Sequence, residues 1–219
     1  PASFTNLEPG IYKANEVIPA GWDLTALSCN DPRSIDGSAT TVNLATGAIE
    51  VSIDDGETVE CFYTNTKRGY IIVDKVTDPA GDPQLFDFDP SYAAPFVLAD
   101  ASTPHMSDPL VNGTYSVSET VPAGWDLTSA TCDDGSLPSA IDLQPGETVT
   151  CTFENTKRGY IIVDKVTDPA GDPQLFDFDP SYADPFALAD ASTPHMSDPL
   201  VNGIYSVSET VPAGWDLTS

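Results

Sequence analysis

The chain has 219 residues, with 34 acidic side chains against 8 basic ones and a formal net charge of −26. That balance excludes the basic footprint of ordinary nucleic-acid binding and disfavours an anionic membrane surface, while it favours solubility and repulsion between chains. No apolar run approaches the length of a membrane span, and 20 Pro and 15 Gly spread along the chain punctuate short strands.

In chain order, residues 1–66 read as the later part of a unit, because GIYKANEVIPAGWDLT at 10–25 answers GTYSVSETVPAGWDLT at 113–128. Residues 67–156 form a complete unit. Its predicted strands are 69–77, 84–89, 95–99, 113–120, 125–131, 139–143 and 147–155, separated by turn signals at DPAGD, DPLVNG, VPAG and QPGE. Residues 157–219 repeat residues 67–129 with three substitutions: Ala94 becomes Asp184, Val97 becomes Ala187 and Thr114 becomes Ile204. The period is 165 − 75 = 90 residues, a whole small domain and not a solenoid turn.

Three domains are therefore expected. Residues 1–66 are a partial β-sandwich lacking its first strands, 67–156 a complete one, and 157–219 a partial one lacking its last strands. The fold class is all-β, with about seven strands per unit in an immunoglobulin-like sandwich. The joins read NTKRGY, without flexible-linker composition, so successive units should hold a nearly fixed orientation. The first unit carries 13 extra residues between its cysteines (61 − 29 = 32 against 151 − 132 = 19), around residues 32–48.

Side chains on a strand alternate between faces. Tyr115, Val117 and Glu119 then share a core face, as do Cys151, Phe153 and Asn155 on the last strand. On the first strand Ile71, Val73 and Lys75 share a face, although Ile72 and Val76 make the opposite face nearly as apolar. One consistent solution turns Lys75, Glu119 and Asn155 inward together. Such groups are costly to bury unless they satisfy one another. Lysine is also scarce, with five in the chain, and Lys75 and Lys165 share one repeat position.

The early VDK strand, the central Y-x-V-x-E-T-x-P-x-G-W segment and the closing F-x-N-T strand together resemble the CnaB or SpaA-type domain, a prealbumin-like sandwich of bacterial surface proteins and pili. The resemblance covers the whole 90-residue unit. It implies an isopeptide bond from Lys75 to Asn155, with Glu119 as the assisting acid. Glu16 and Asn65 in the first unit, and Lys165 and Glu209 in the third, are then incomplete equivalents. The chemistry is sound, since burial lowers a lysine pKa, raises a glutamate pKa and holds amine and carbonyl together. The residues alone are equally served by a buried Lys–Glu ion pair capped by the amide.

One cysteine pair per unit points to disulfides Cys29–Cys61 and Cys132–Cys151. Loops of this size contribute about 3–4 kcal/mol in the chain-entropy model and belong to an oxidising, extracellular setting. Zinc lacks the CxxC spacing it would need, and His105 and His195 lie far off in loops. Asp78, Asp82, Asp87 and Asp89 are weak calcium candidates and are read first as solvated turn residues, so no cofactor is expected. Trp22, Trp125 and Trp215, in the recurring PAGWDLT, are read as packing over the sandwich end.

No Ser–His–Asp set, phosphate loop or metal triad marks an enzyme. The expected function is structural: a rigid extracellular stalk, pilus-like fibre or filament at the cell surface. The alternative is a multivalent adhesin that grips a carbohydrate or protein through repeat loops, residues 32–48 being the natural contact, with repetition supplying avidity. Expected partners are further copies of the repeat, in the same chain or in neighbouring subunits, with no nucleic acid and no membrane insertion. Both partial units should be completed by more polypeptide, most simply the same chain continuing. The less simple route has Lys165 of one chain meeting Asn65 of the next.

Overall fold

In a computed structural model the described residues are 2–32 and 40–218, and all their regular structure is β. The first unit contains β1 (Gly10–Asn15), β2 (Trp22–Asn30), β3 (Thr41–Asn43), β4 (Ala48–Ile53) and β5 (Glu60–Lys67). The complete unit contains β6 (Tyr70–Asp78), β7 (Phe86–Pro90), β8 (Phe96–Leu98), β9 (His105–Met106), β10 (Gly113–Tyr115), β11 (Val117–Thr120), β12 (Trp125–Cys132), β13 (Ile141–Leu143) and β14 (Thr148–Lys157). The third unit contains β15 (Ile162–Val163), β16 (Phe176–Pro180), β17 (Phe186–Leu188), β18 (His195–Met196) and β19 (Val207–Thr210).

The complete unit is a sandwich. One sheet runs β12-β14-β6-β9, the facing sheet β11-β7-β8, and β10 pairs with β13. Strand alternation builds the core: Ile71, Val73, Lys75 and Thr77 turn inward from β6, and Val149, Cys151, Phe153 and Asn155 from β14. From β7, Phe86 and Phe88 turn inward while Asp87 and Asp89 face water. Each large apolar side chain buried this way contributes about 1.5–3 kcal/mol. The first and last strands of the unit lie side by side and parallel, with Phe153 opposite Lys75 and Asn155 opposite Thr77.

Two expectations need correction. The strand expected over 113–120 is two strands in different sheets, β10 on β13 and β11 on β7. The break falls at Ser116, whose N–H donates to Ser91 Oγ (2.9 Å) and whose carbonyl accepts from Ser91 N–H (2.8 Å), so its backbone groups leave the ladder. His105, expected in a loop, lies instead in the short strand β9, opposite Val73, which has too little alternation to be read from sequence. In the first unit the described part of the insertion forms β3, an extra strand on the edge of β4. Residues 33–39, the rest of the expected adhesin contact, lie outside the described residues.

The larger core lies in the complete unit, and a smaller cluster of Phe176, Phe178 and Leu188 lies in the third. Ile71 and Val73 are fully buried, whereas their counterparts Ile161 and Val163 are half-buried. Trp125 is 5% exposed and packs edge-on against Phe86, while Trp22 is 40% exposed. Gly69, where the chain enters β6, passes under the β13–β14 turn. A Cβ there would meet the Glu147 carbonyl oxygen at 2.7 Å, so no larger residue fits.

The joins between units repeat one device. Arg68 holds Asp23 with two charge-assisted bonds of 2.7 and 2.8 Å, its N–H donates to Gly21 O, and its third nitrogen reaches Pro109 O of the next unit at 3.5 Å. Arg158 holds Asp126 in the same way, at 2.6 and 2.9 Å. At the first join the Lys67 carbonyl also accepts from Gly146 N–H (2.9 Å). Bidentate forks of this kind fix direction as well as distance.

The guanidinium bonds hold the Asp23 and Asp126 carboxyls below the usual carboxylate range. A depressed folded pKa gives stabilisation that is present above the unfolded pKa and lost as pH falls through the folded one. The joins should therefore stay ordered into mild acid and loosen only below the ordinary Asp range. Arg68→Ala should loosen the first join at neutral pH. Small-angle scattering checks both, as a broadened distance distribution, and an unchanged profile in Arg68→Ala would contradict the role of the fork.

Candidate functional site

Lys75 enters the core from β6, Asn155 from the adjacent β14 and Glu119 from β11 in the facing sheet. Lys75 is 1% exposed and Asn155 is fully buried, as is the side chain of Glu119. Lys75 Nζ donates to Asn155 Oδ1 (2.8 Å), Val76 O (2.7 Å) and Phe153 O (3.2 Å), and stands 3.6 Å from Glu119 Oε1. Below it lies the Phe86 ring, 4.1 Å from Nζ to the centroid, with Trp125 edge-on behind that ring. Phe153 packs edge-on against Phe88 and closes the apolar wall.

Burial pushes the Lys75 pKa down, against the pull of Glu119. Burial also pushes the Glu119 carboxyl up. The Asn155 amide and Lys75 oppose that rise, yet Asn155 Nδ2 is not in hydrogen-bonding geometry with either carboxyl oxygen. Both Glu119 oxygens and Asn155 Nδ2 are buried without a hydrogen-bond partner. Orphaned groups of this kind cost about 1–3 kcal/mol each. Chemically, the arrangement places an amine against an amide, in an apolar pocket, with a carboxyl 3.6 Å from the amine.

The other units hold fragments of the trio. Asn65 Nδ2 donates to Glu16 Oε1 (2.6 Å) in the first, and Lys165 Nζ pairs with Glu209 Oε1 (2.8 Å) in the third, over the Phe176 ring. Two disulfides are present, Cys29–Cys61 and Cys132–Cys151, each joining directly opposed residues of neighbouring antiparallel strands. The Cys132–Cys151 bond ties β12 to β14, the strand that carries Asn155.

The calcium candidates are not brought together. Asp87 and Asp89 point outward from β7, Asp78 is exposed at the end of β6, and Asp82 pairs with Lys157 (2.7 Å) and caps Gln84 N–H. Among the described residues no group of three or more His, Cys, Asp or Glu side chains could hold a metal ion. His105 and His195, expected in loops, lie in β9 and β18 and stack on Phe96 and Phe186. Sequence reasoning missed the aromatic floor at Phe86. The FDFDP alternation was the available signal, but nothing in it says which ring lies beneath the lysine.

No curated protein matches the chain. Among solved structures it is similar to the Bacillus anthracis TIE protein, at 16% identity and a TM-score of 0.37 over 95% of this chain and 47% of that one. It is also similar to the pilus adhesin SpaC from Lactobacillus rhamnosus GG in its open conformation, at 11% identity and a TM-score of 0.31 over 95% of this chain and 37% of that one. The chain thus spans less than half the length of either. The family model of the prealbumin-like fold domain, SpaA_4, matches residues 1–67 and again 71–157. The two matches together span well over half of the sequence and meet at the join where β5 hands over to β6, so the chain belongs to the SpaA-type prealbumin-like fold domain family, in tandem copies.

Proposed function

We propose that the chain is part of a load-bearing extracellular stalk or fibre at the cell surface, each complete unit of which fastens its first strand to its last by an isopeptide bond. One observation carries this reading: Lys75, Glu119 and Asn155 meet in the core between the strand by which the chain enters the unit and the strand by which it leaves. Tension applied through the joins loads those two parallel strands in shear. A covalent bond between them passes the load across without opening the sandwich. The disulfides fit an oxidising exterior, and the partners are further copies of the repeat, joined through the arginine forks.

The reaction conserves atoms. Lys75 gives a proton to Glu119, and the neutral amine attacks Asn155 Cγ. The protonated Glu119 then supplies a proton to the departing Nδ2 and takes up the proton that the attacking nitrogen sheds. One C–N amide bond forms, one breaks, and one ammonia leaves, carrying that last proton from Glu119 away as ammonium. Glu119 ends as it began, so the step is a single-turnover maturation. It also removes one buried orphan, Asn155 Nδ2.

The reactive pair, neutral amine with neutral acid, contains as many protons as the ion pair. Crosslinking should therefore be bell-shaped in pH. It slows in acid, where amine and acid are both protonated, and in alkali, where Glu119 has no proton to give. The fraction of chains lacking one ammonia, followed in time after cell-free synthesis at different pH, reads this out. A rate rising steadily with pH would remove Glu119 from the reaction. The function itself is tested by pulling the chain from its ends: the complete unit should keep its length under load, and release of the residues between Lys75 and Asn155 in the wild-type chain would overturn it.

A further inference from the structure

The ladder between β12 and β14 is interrupted beside Asn155. Leu127 lies opposite Asn155 and Ser129 opposite Glu154, leaving Thr128 as an extra residue in a β-bulge. Bulges re-aim neighbouring side chains and recur beside reactive sites. Here the extra residue has specific partners. Thr128 Oγ1 donates to the Glu154 carbonyl (3.0 Å) and accepts from Thr156 Oγ1 (3.3 Å). Its hydroxyl thus spans the residues on either side of Asn155, from the outer face of the strand.

The first unit repeats the arrangement on the same WDLT and NTK residues, with Ala26 and Thr64 where the complete unit has Ser129 and Glu154. Its bulge falls at Thr25, between Leu24 opposite Asn65 and Ala26 opposite Thr64. Thr25 Oγ1 donates to the Thr64 carbonyl (3.1 Å) and shares a hydrogen bond with Thr66 Oγ1 (2.9 Å). In both units the bulged threonine grips the two neighbours of the inward asparagine.

We infer that Thr128 is a positioning residue for the crosslink, fixing the backbone around Asn155 so that its amide stays against Lys75 Nζ. The inference rests on the isopeptide reading. Asn155 Oδ1 is 2.8 Å from the amine, and side-chain direction on a strand follows the local backbone. At a bulge the backbone has lost a regular ladder partner, so the register beside Asn155 needs another constraint. Threonine suits this place, because its branched Cβ restricts χ1 while the hydroxyl reaches both partners. Thr128 touches neither reacting group. Its effect runs through the main chain of residues 154–156.

The test uses the full 219-residue chain, made by cell-free synthesis, with loss of ammonia followed by intact mass. Thr128→Val keeps the shape, removes the hydroxyl and should slow crosslinking by roughly 10-fold, since small displacements of reacting atoms carry large rate costs. Thr128→Ser keeps the hydroxyl and should stay within about 3-fold of wild type, while Thr131→Val, an exposed threonine on the same strand, should leave the rate unchanged. Equal rates for Thr128→Val and wild type would overturn the inference. So would Thr128→Ser slowing as much as Thr128→Val, a comparison that stands even if the valine variant folds poorly. A wild-type chain that never loses ammonia removes the isopeptide reading itself, which separates the two failures.

Discussion

Intact-mass measurement of the reduced wild-type chain is expected to fall one ammonia below the mass of its sequence, and Glu119→Ala is expected to restore the full mass. Peptide mapping should recover the segments around Lys75 and Asn155 as one branched species. A single ammonia is expected because, among the described residues, only the complete unit, 67–156, brings lysine, acid and amide together; the first unit pairs Glu16 with Asn65 and the third Lys165 with Glu209. The substitution has a second consequence. It leaves Lys75 in an apolar pocket without its counter-charge, which for a buried pair costs about 3–5 kcal/mol. Lys75→Met combined with Glu119→Gln removes both charges, also forms no bond, and should recover much of that loss. Denaturant unfolding ranks the three chains, with wild type highest, the double variant next and Glu119→Ala lowest. Full mass in the reduced wild-type chain would leave an ion pair capped by an amide and nothing more.

The second large effect is mechanical. With the Lys75–Asn155 bond in place, tension enters along β6, crosses to β14 and leaves, so the chain between the two residues is shielded, the disulfide included. Reduction should then not change how far the complete unit extends. In Glu119→Ala the shield is gone. The 155 − 75 = 80 residues between the two positions are released, less the 151 − 132 = 19 held by the disulfide. At about 3.5 Å per residue, that is roughly 210 Å oxidised and roughly 280 Å reduced. Single-molecule pulling of the two chains, each with and without reductant, gives these steps as differences from wild type. A reductant-dependent step of roughly 65 Å in the wild-type chain would put the disulfide in the load path and contradict the shielded geometry.

The two braces thus divide the work on one strand. Strand β14 is held to β12 by Cys132–Cys151 and, in the proposed mature form, to β6 by the isopeptide bond four residues further along. The disulfide fixes the register of a pairing that carries a bulge. In the proposed mature form the isopeptide bond would take the load.

Much of this was determined by the sequence alone. The unit, its period and its β character follow from near-identical repetition and from turn residues at regular spacing. The inward side of each core strand follows from alternation, which is local: YIIVDKVT turns Lys75 inward with Ile71 and Val73 whatever the strand pairs with. The disulfide partners follow from there being one cysteine pair in each unit that has them.

Only the tertiary structure decided the rest, because it depends on which strands become neighbours. Residues 113–120 alternate without interruption and read as one strand, yet Ser116 bonds Ser91 and the two halves join different sheets. Nothing near Lys75 in sequence says that it will stand 2.8 Å from an amide 80 residues away; that follows from the parallel pairing of the first strand with the last. The ring beneath the amine, the arginine that clasps the preceding unit and the threonine that steadies Asn155 are likewise pairings across strands. Alternation tells which face a side chain takes, and packing alone tells what it meets there.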